Sequence, residues 1–514
     1  MNLYKGTHNC SRMVLLHRDN YLKTIFIVVV IIVCSKELWL GAIQLLVANP
    51  SFYNVHIPLG SFENPGPYGG FLSICTCILA ANICLDQRTR KEQGLFLYVI
   101  RLLSSIIVII ALIIIPSTQS RTAILAVGCG LILLCLRIDR FRGIMKSVWK
   151  RYGLLISLAA IFLIAGVYLF KKPSADGRLF MDKISVKAMC RNGITGAGIG
   201  HFGGAYGTSQ HDYFYNQIKN RGKDDFDLTA INEQDRLTAG CPDNAFNEYL
   251  FIGVEAGPLV MFLFIGILVI TIVISFKRGT IWCYGIVAFS VFAIFSYPLH
   301  VWQFQVVLPI LFVASVLDGE TRNPRTKIPE LAILSITVVM LSVFVLAKIP
   351  AIRQYRKAET AWKKAERWHQ LEYYEYVVED CDTLLPYLKR DMDFLFAYGQ
   401  SLNKTGNYEK SDSVLKLGTE ISSDPMFWNV MGNNSLALGK YREAEERYKH
   451  AFYMVPNRLY PLYLLAKLYH TEGDTVRFLD MSDKVETFKS KVESANTERL
   501  RTEIRELKAG YISE

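Results

Sequence analysis

Outside its apolar stretches, this chain has few of the residues that bind metals or staple secreted domains. Seven of its eleven cysteines, Cys34, Cys75, Cys77, Cys84, Cys129, Cys135 and Cys283, lie in apolar runs, where a thiol behaves as a small hydrophobe. No two of the others are close enough in sequence for a zinc site, so no metal centre is expected. Histidine is also scarce, with nine residues, and the spacing of His201 and His211 is no metal signature; both are expected to be solvated in a loop. No strand precedes Gly198-x-Gly200-x-x-Gly203, which removes the dinucleotide reading of that pattern and leaves a tight turn with accessible backbone amides. The first apolar run lacks a small-residue cleavage site, so it reads as a retained anchor. Lys and Arg are absent from the connections 47–67 and 298–303.

What is present is apolar length. Hydrophobic residues make up 51% of the chain and charged ones 20%, for a mean hydropathy of +0.22. From about Ala351 onward the composition is that of a soluble protein. Bilayer-length runs are expected at Thr24–Leu46, Tyr68–Leu85, Leu95–Ile115, Thr122–Leu136, Gly153–Phe170, Tyr249–Phe276, Ile281–Leu299, Phe304–Leu317 and Leu331–Ile349. Lys and Arg gather in alternate connections, around Arg12 to Lys23, Arg88 to Lys91, Arg137 to Arg151, Lys277–Arg278 and Arg322 to Lys327, which therefore face the cytoplasm. An inside N-terminus and about nine spans put the polar segment 171–247 and the C-terminal region outside. The net charge of +11 is partly this topology signal, and no nucleic-acid partner is expected.

The fold class expected is all-α: a polytopic membrane domain, 1–350, with a large external catalytic loop at 171–247, followed by a helical domain at 351–514. Trp428, Gly432, Gly439, Tyr441, Ala444, Tyr448, Ala451 and Pro456 fall at the positions of a tetratricopeptide repeat. Weaker copies run through Leu395, Gly399, Gly406, Tyr408 and Ser411, and through Leu462, Ala466, Gly473 and Val485. Residues 352–389 and 484–508 are expected to cap this α-solenoid.

Candidate chemistry lies on the outer side. Arg121 opens a span on the face otherwise kept free of arginine, and Arg178 follows the fifth span; a snorkelling residue and an anion clamp are both open readings for Arg121. A guanidinium matches phosphate oxygens, so the pair points to a diphosphate. Asn247, Glu248 and Glu255 start the next span, where a carboxylate entering a membrane marks function. Asp243 reads as a helix cap. Cys190 and Cys241 share the exported segment, where a disulfide could form.

In order along the chain come Gly60-x-Phe62-x-Asn64-Pro65, Ser120-Arg121, Ser174-x-x-Gly177-Arg178, Gly196-x-Gly198-x-Gly200-x-Phe202 with Tyr206, Asn247-Glu248-Tyr249-Leu250, and Glu255-x-Gly257. Over residues 41–317 this series resembles the O-antigen ligase and polymerase superfamily, in its branch with a C-terminal tetratricopeptide domain. The resemblance implies an inverting, metal-independent glycan transferase without cofactor, in a bacterial inner membrane with the C-terminal domain in the periplasm. Its donor would be a glycan on undecaprenyl diphosphate and its acceptor lipid A-core, another glycan or a protein. Arg121, Arg178, Gly198 and Gly200 become diphosphate-binding candidates, and Glu248, Asn247 and Arg178 catalytic ones. The family's His position falls here on Phe246. Three readings stay open: Glu248 takes the acceptor proton, transfer needs little base because diphosphate leaves easily, or the chain is a non-catalytic scaffold recruiting periplasmic partners through its repeat groove.

Overall fold

The computed structural model describes residues 4–46, 57–85, 94–139, 141–154, 172–220, 226, 228–318 and 353–512. Among them every regular element is helical. The expected spans Gly153–Phe170 and Leu331–Ile349 lie outside the described residues, apart from the first two positions of the former. Two compact units result. The first draws on residues 1–170, 246–249 and 261–328, the second on 171–245, 250–260 and 329–514.

In the first unit, α1 (Tyr4–Leu46), α2 (Pro65–Leu85), α3 (Leu95–Ser117), α4 (Arg121–Arg137) and α5 (Phe141–Leu154) precede the excursion to the second unit. α2 is apolar on every side and is the centre, packed by α3, α4 and the later α11 (Trp282–Ile294). Its approach to α4 and α11 is close because glycines stand at the crossings. A Cβ on Gly70 would meet the Phe292 ring, and Gly285 faces Ile78. The outward faces of α1, α3 and α10 (Pro258–Arg278) keep large hydrophobics exposed, among them Ile32, Ile109, Ile113, Phe262 and Ile270, as lipid-facing helices do. Four described helices are long and apolar enough to cross a membrane, or five if α4 and α5, bent by 106° to each other, act as one. Ile281–Leu299 and Phe304–Leu317 appear as shorter helices, α11 with 13 residues and α12 (Trp302–Leu317) with 16.

Expected as one run, Tyr249–Phe276 is instead broken. α9 (Glu248–Ala256) stops at Gly257, whose φ of +90° is left-handed, and α10 begins at Pro258. Only glycine takes that conformation at little cost, and proline has no N–H with which to continue the ladder of α9.

The segment expected as a loop is itself helical: α6 (Lys172–Asn192), α7 (Phe202–Lys219) and α8 (Glu233–Thr238). It folds into the second unit with a chain of C-terminal helices. These are α13 (353–370), α14 (Tyr374–Cys381), α15 (Leu385–Leu388), α16 (Met392–Lys404), α17 (Tyr408–Ile421), α18 (Met426–Ala437), α19 (Tyr441–Met454), α20 (Tyr460–Glu472), α21 (Thr475–Thr487) and α22 (Ala495–Ile512). From α16 on, each helix packs against the next. Small residues set the spacing: Gly399 sits under Leu415, Gly418 under Phe427 and Gly432 under Tyr448. α7 lies against α6, α17 and α19, and its glycine face, Gly203, Gly204 and Gly207, rests on Ile421, Glu420, Ser423 and Met454.

Candidate functional site

In the first unit, one end gathers residues from four elements. Ser120 caps α4 by accepting the Ala123 amide at 3.3 Å, so Arg121 occupies the first helical position. There both the helix dipole and the guanidinium favour an anion. The start of α2 lies beside this turn: Ser73 Oγ donates to the Ala123 carbonyl at 2.8 Å, and a Cβ on Gly69 would meet Thr118 Oγ1. Just before α2, the turn at Gly60, with φ +58°, is held by α1. Gln44 Oε1 accepts the amides of Leu59 and Gly60, each at 2.8 Å, while Glu37 accepts the amide and hydroxyl of Ser61 at 2.9 and 2.7 Å. Asn64 then donates to the Tyr297 hydroxyl at 3.3 Å, and the Tyr297 ring meets Phe246 edge-on at 5.2 Å.

Glu248 opens α9 and is buried, its side chain 1% exposed. Its Oε2 accepts the Leu299 amide at 2.9 Å, and its Oε1 stands 3.7 Å from His300 Nδ1. Tyr249, next along, donates to the Ser290 carbonyl at 2.9 Å and so ties the helix start to α11. Asn247 immediately precedes α9, at the capping position, and Asp243 lies upstream of it. The expectation that Asp243 caps this helix is thereby corrected. Asp243 is instead exposed at the surface, where partial desolvation with nearby Asp393 and Asp424 raises its pKa.

In the second unit, Gly196, Gly198 and Gly200 all have positive φ, as the expected tight turn requires. The turn closes on the end of α9. Gly198 N–H donates to the Glu255 carbonyl at 2.9 Å; Gly200 N–H donates to Glu255 Oε1 at 2.8 Å, and Phe202 N–H to the same oxygen at 3.3 Å. Two amides offered to a diphosphate thus belong to Glu255 in this structure. Glu255 satisfies the first turn of α7 as an anion would. Arg178 lies on α6, part-buried, in this second unit, whereas Arg121 belongs to the first.

The two histidines expected in solvated loops are fixed in the fold. His201 Nδ1 is 3.1 Å from the Glu420 carbonyl at the end of α17. His211, on α7, stacks on His450 of α19 with ring centroids 4.0 Å apart, and His450 in turn lies 3.8 Å from Trp428. Burial, with Arg191 near, lowers His211 to about 4; burial, His211 and Arg191 lower His450 to about 3. Asp212 Oδ1, 3.0 Å from His211 Nδ1, opposes this, but that carboxylate also pairs with Arg191, and desolvation prevails. The expected disulfide is likewise corrected. Cys190 and Cys241 are free thiols, Cys190 exposed on α6 and Cys241 accepting from Arg458 Nη2 at 3.3 Å.

The sequence reading passes over two residues of the first unit, Glu37 and His300. Glu37 is a buried carboxylate in a helix long and apolar enough to cross a membrane, a signal available from its apolar flanks. His300 sits in a short connection with no local pattern to mark it.

A family model described as O-antigen ligase matches residues 106–265, from within α3 into α10. No curated protein matches the chain.

Proposed function

We propose that this chain is an integral-membrane glycan transferase, inverting and metal-independent. It would move a glycan from undecaprenyl diphosphate to a lipid, glycan or protein acceptor at the outer face of a bacterial inner membrane. The observation that carries this reading is one of overlap: Arg121, Arg178, Gly198, Gly200, Asn247 and Glu248 all fall inside the stretch similar to O-antigen ligase.

Arg121, at a helix N-terminus, and Arg178 are each proposed as a diphosphate ligand. A guanidinium presents a fixed fork of donors to phosphate oxygens and stays charged at any working pH. Diphosphate is a good leaving group, so the acceptor needs only modest acid–base help, supplied from the end of the first unit built around Glu248 and Asn247. Gly198 and Gly200 contribute by shaping the turn before α7, and their amides reach a diphosphate only if Glu255 releases them. The N-terminus is cytoplasmic, and segment 171–247 and domain 351–514 are periplasmic. The helix pairs spaced by Gly399 and Gly432 support a tetratricopeptide-like solenoid, with a groove for a periplasmic protein.

The test is reconstitution. The full chain in liposomes, supplied with a lipid extract of the membranes that make it, should release undecaprenyl diphosphate as glycan is transferred. A chain that releases none, while remaining folded and inserted, leaves the scaffold reading in its place.

A further inference from the structure

We infer that His300 is the group that takes the acceptor proton and that Glu248 is its positioning residue. This rests on the transferase reading above and names the chemistry of that same site.

Burial separates the two roles. With its side chain 1% exposed, Glu248 cannot touch an acceptor hydroxyl; the His300 side chain, 29% exposed, can. Glu248 divides its oxygens between two tasks. Oε2 accepts the Leu299 amide at 2.9 Å and holds the short helix Pro298–His300 in place, while Oε1 faces His300 Nδ1 at 3.7 Å. A carboxylate on the Nδ1 side favours the tautomer with its proton there, which leaves the Nε2 lone pair to accept a proton. A base oriented by a buried acid is a general arrangement for activating a hydroxyl, and apo distances in such pairs run long. Tyr297, whose ring lies 6.3 Å from that of His300 and 5.2 Å from that of Phe246, walls the site, and Asn64 holds its hydroxyl at 3.3 Å.

The step balances. The acceptor oxygen bonds to the anomeric carbon as the bond from that carbon to the diphosphate oxygen breaks, its electron pair leaving with the diphosphate. The hydroxyl proton moves to His300 Nε2 and is later lost to water, so no oxidant or further reactant is needed.

The experiment uses the full chain in liposomes with the same lipid extract, reading undecaprenyl diphosphate release at saturating extract. His300→Ala should lower the maximal rate by about 100-fold, within the usual range for a general base. Added imidazole should restore at least about tenfold of that, because a free base can enter the space left by the ring. His300→Gln, which keeps a planar polar side chain on the connection, should be equally slow if it folds more readily. Glu248→Gln keeps an oxygen for the Leu299 amide but removes the charge facing the imidazole; it should slow transfer without responding to imidazole. A His300→Ala rate within about threefold of wild type overturns the inference, and so does a loss that imidazole does not touch. A wild-type chain that releases nothing overturns the transferase reading and this inference with it, whereas active wild type with active His300→Ala overturns the inference alone.

Discussion

Glu255 takes the Gly200 amide on its carboxylate at 2.8 Å, so that an acidic side chain from the end of α9 fills the place an anion would occupy at the start of α7. The residue is 8% exposed and also holds the Phe202 amide.

Glu255→Ala is therefore expected to destabilise the second unit by about 1–3 kcal/mol, the usual penalty for leaving buried donors unmade. Glu255→Gln, which retains an acceptor oxygen, should lose less. Thermal unfolding of the purified chain in detergent measures both, and an unchanged Tm in Glu255→Ala would show that the turn does not depend on this carboxylate.

Gly432 faces the ring of Tyr448, which is fully buried, and an added Cβ would run into that ring. Gly432→Ala should cost about 1–3 kcal/mol through overpacking, despite the better helix propensity of alanine. Gly439→Ala tests a different cause. Nothing lies near a Cβ there, but its φ of +70° is strained for alanine, so the loss should come from the backbone alone.

The stacked pair His211 and His450 makes stability fall on the acid side. In the unfolded chain both titrate near 6.5; in the folded one they are held down to about 4 and about 3. The stabilisation is complete above about pH 6.5 and is lost as pH drops through that window, because the unfolded state binds protons the native state refuses. His450→Phe keeps an aromatic ring against Trp428 and removes one titration, so its Tm should fall less between pH 7 and pH 4 than that of wild type. An equal fall in the two proteins would assign the acid sensitivity elsewhere.

Arg121→Ala and Arg178→Ala should each abolish glycan transfer while protein abundance stays near normal, since removing one partner of a charge-assisted contact costs on the order of 2–5 kcal/mol. Arg→Lys at either position should rescue poorly, because a point charge lacks the bidentate fork. Near-wild-type transfer by both alanine variants removes the diphosphate clamp.

The sequence by itself determined the helical class, the apolar runs that form α1, α2 and α3, and the small residues at helix crossings, because each is written locally. Apolar length answers to the bilayer, and Gly432 and Tyr448 stand on consecutive helices, α18 and α19, a short way apart in the chain. Tertiary structure decided what depends on residues far apart in the chain. Gly257 and Pro258 were legible as breakers, yet the apolar pattern runs straight through them, and only the packed ends of α9 and α10 reveal the stop. His211 meets His450 because α7 lies on α19, and Glu248 meets Leu299 and His300 because α9 starts beside the end of α11. Hydrophobic periodicity constrains neighbours a few residues apart; it carries no information about which helix will arrive opposite. A solvated histidine and a stacked, neutral one therefore read alike until the fold brings their partners to them.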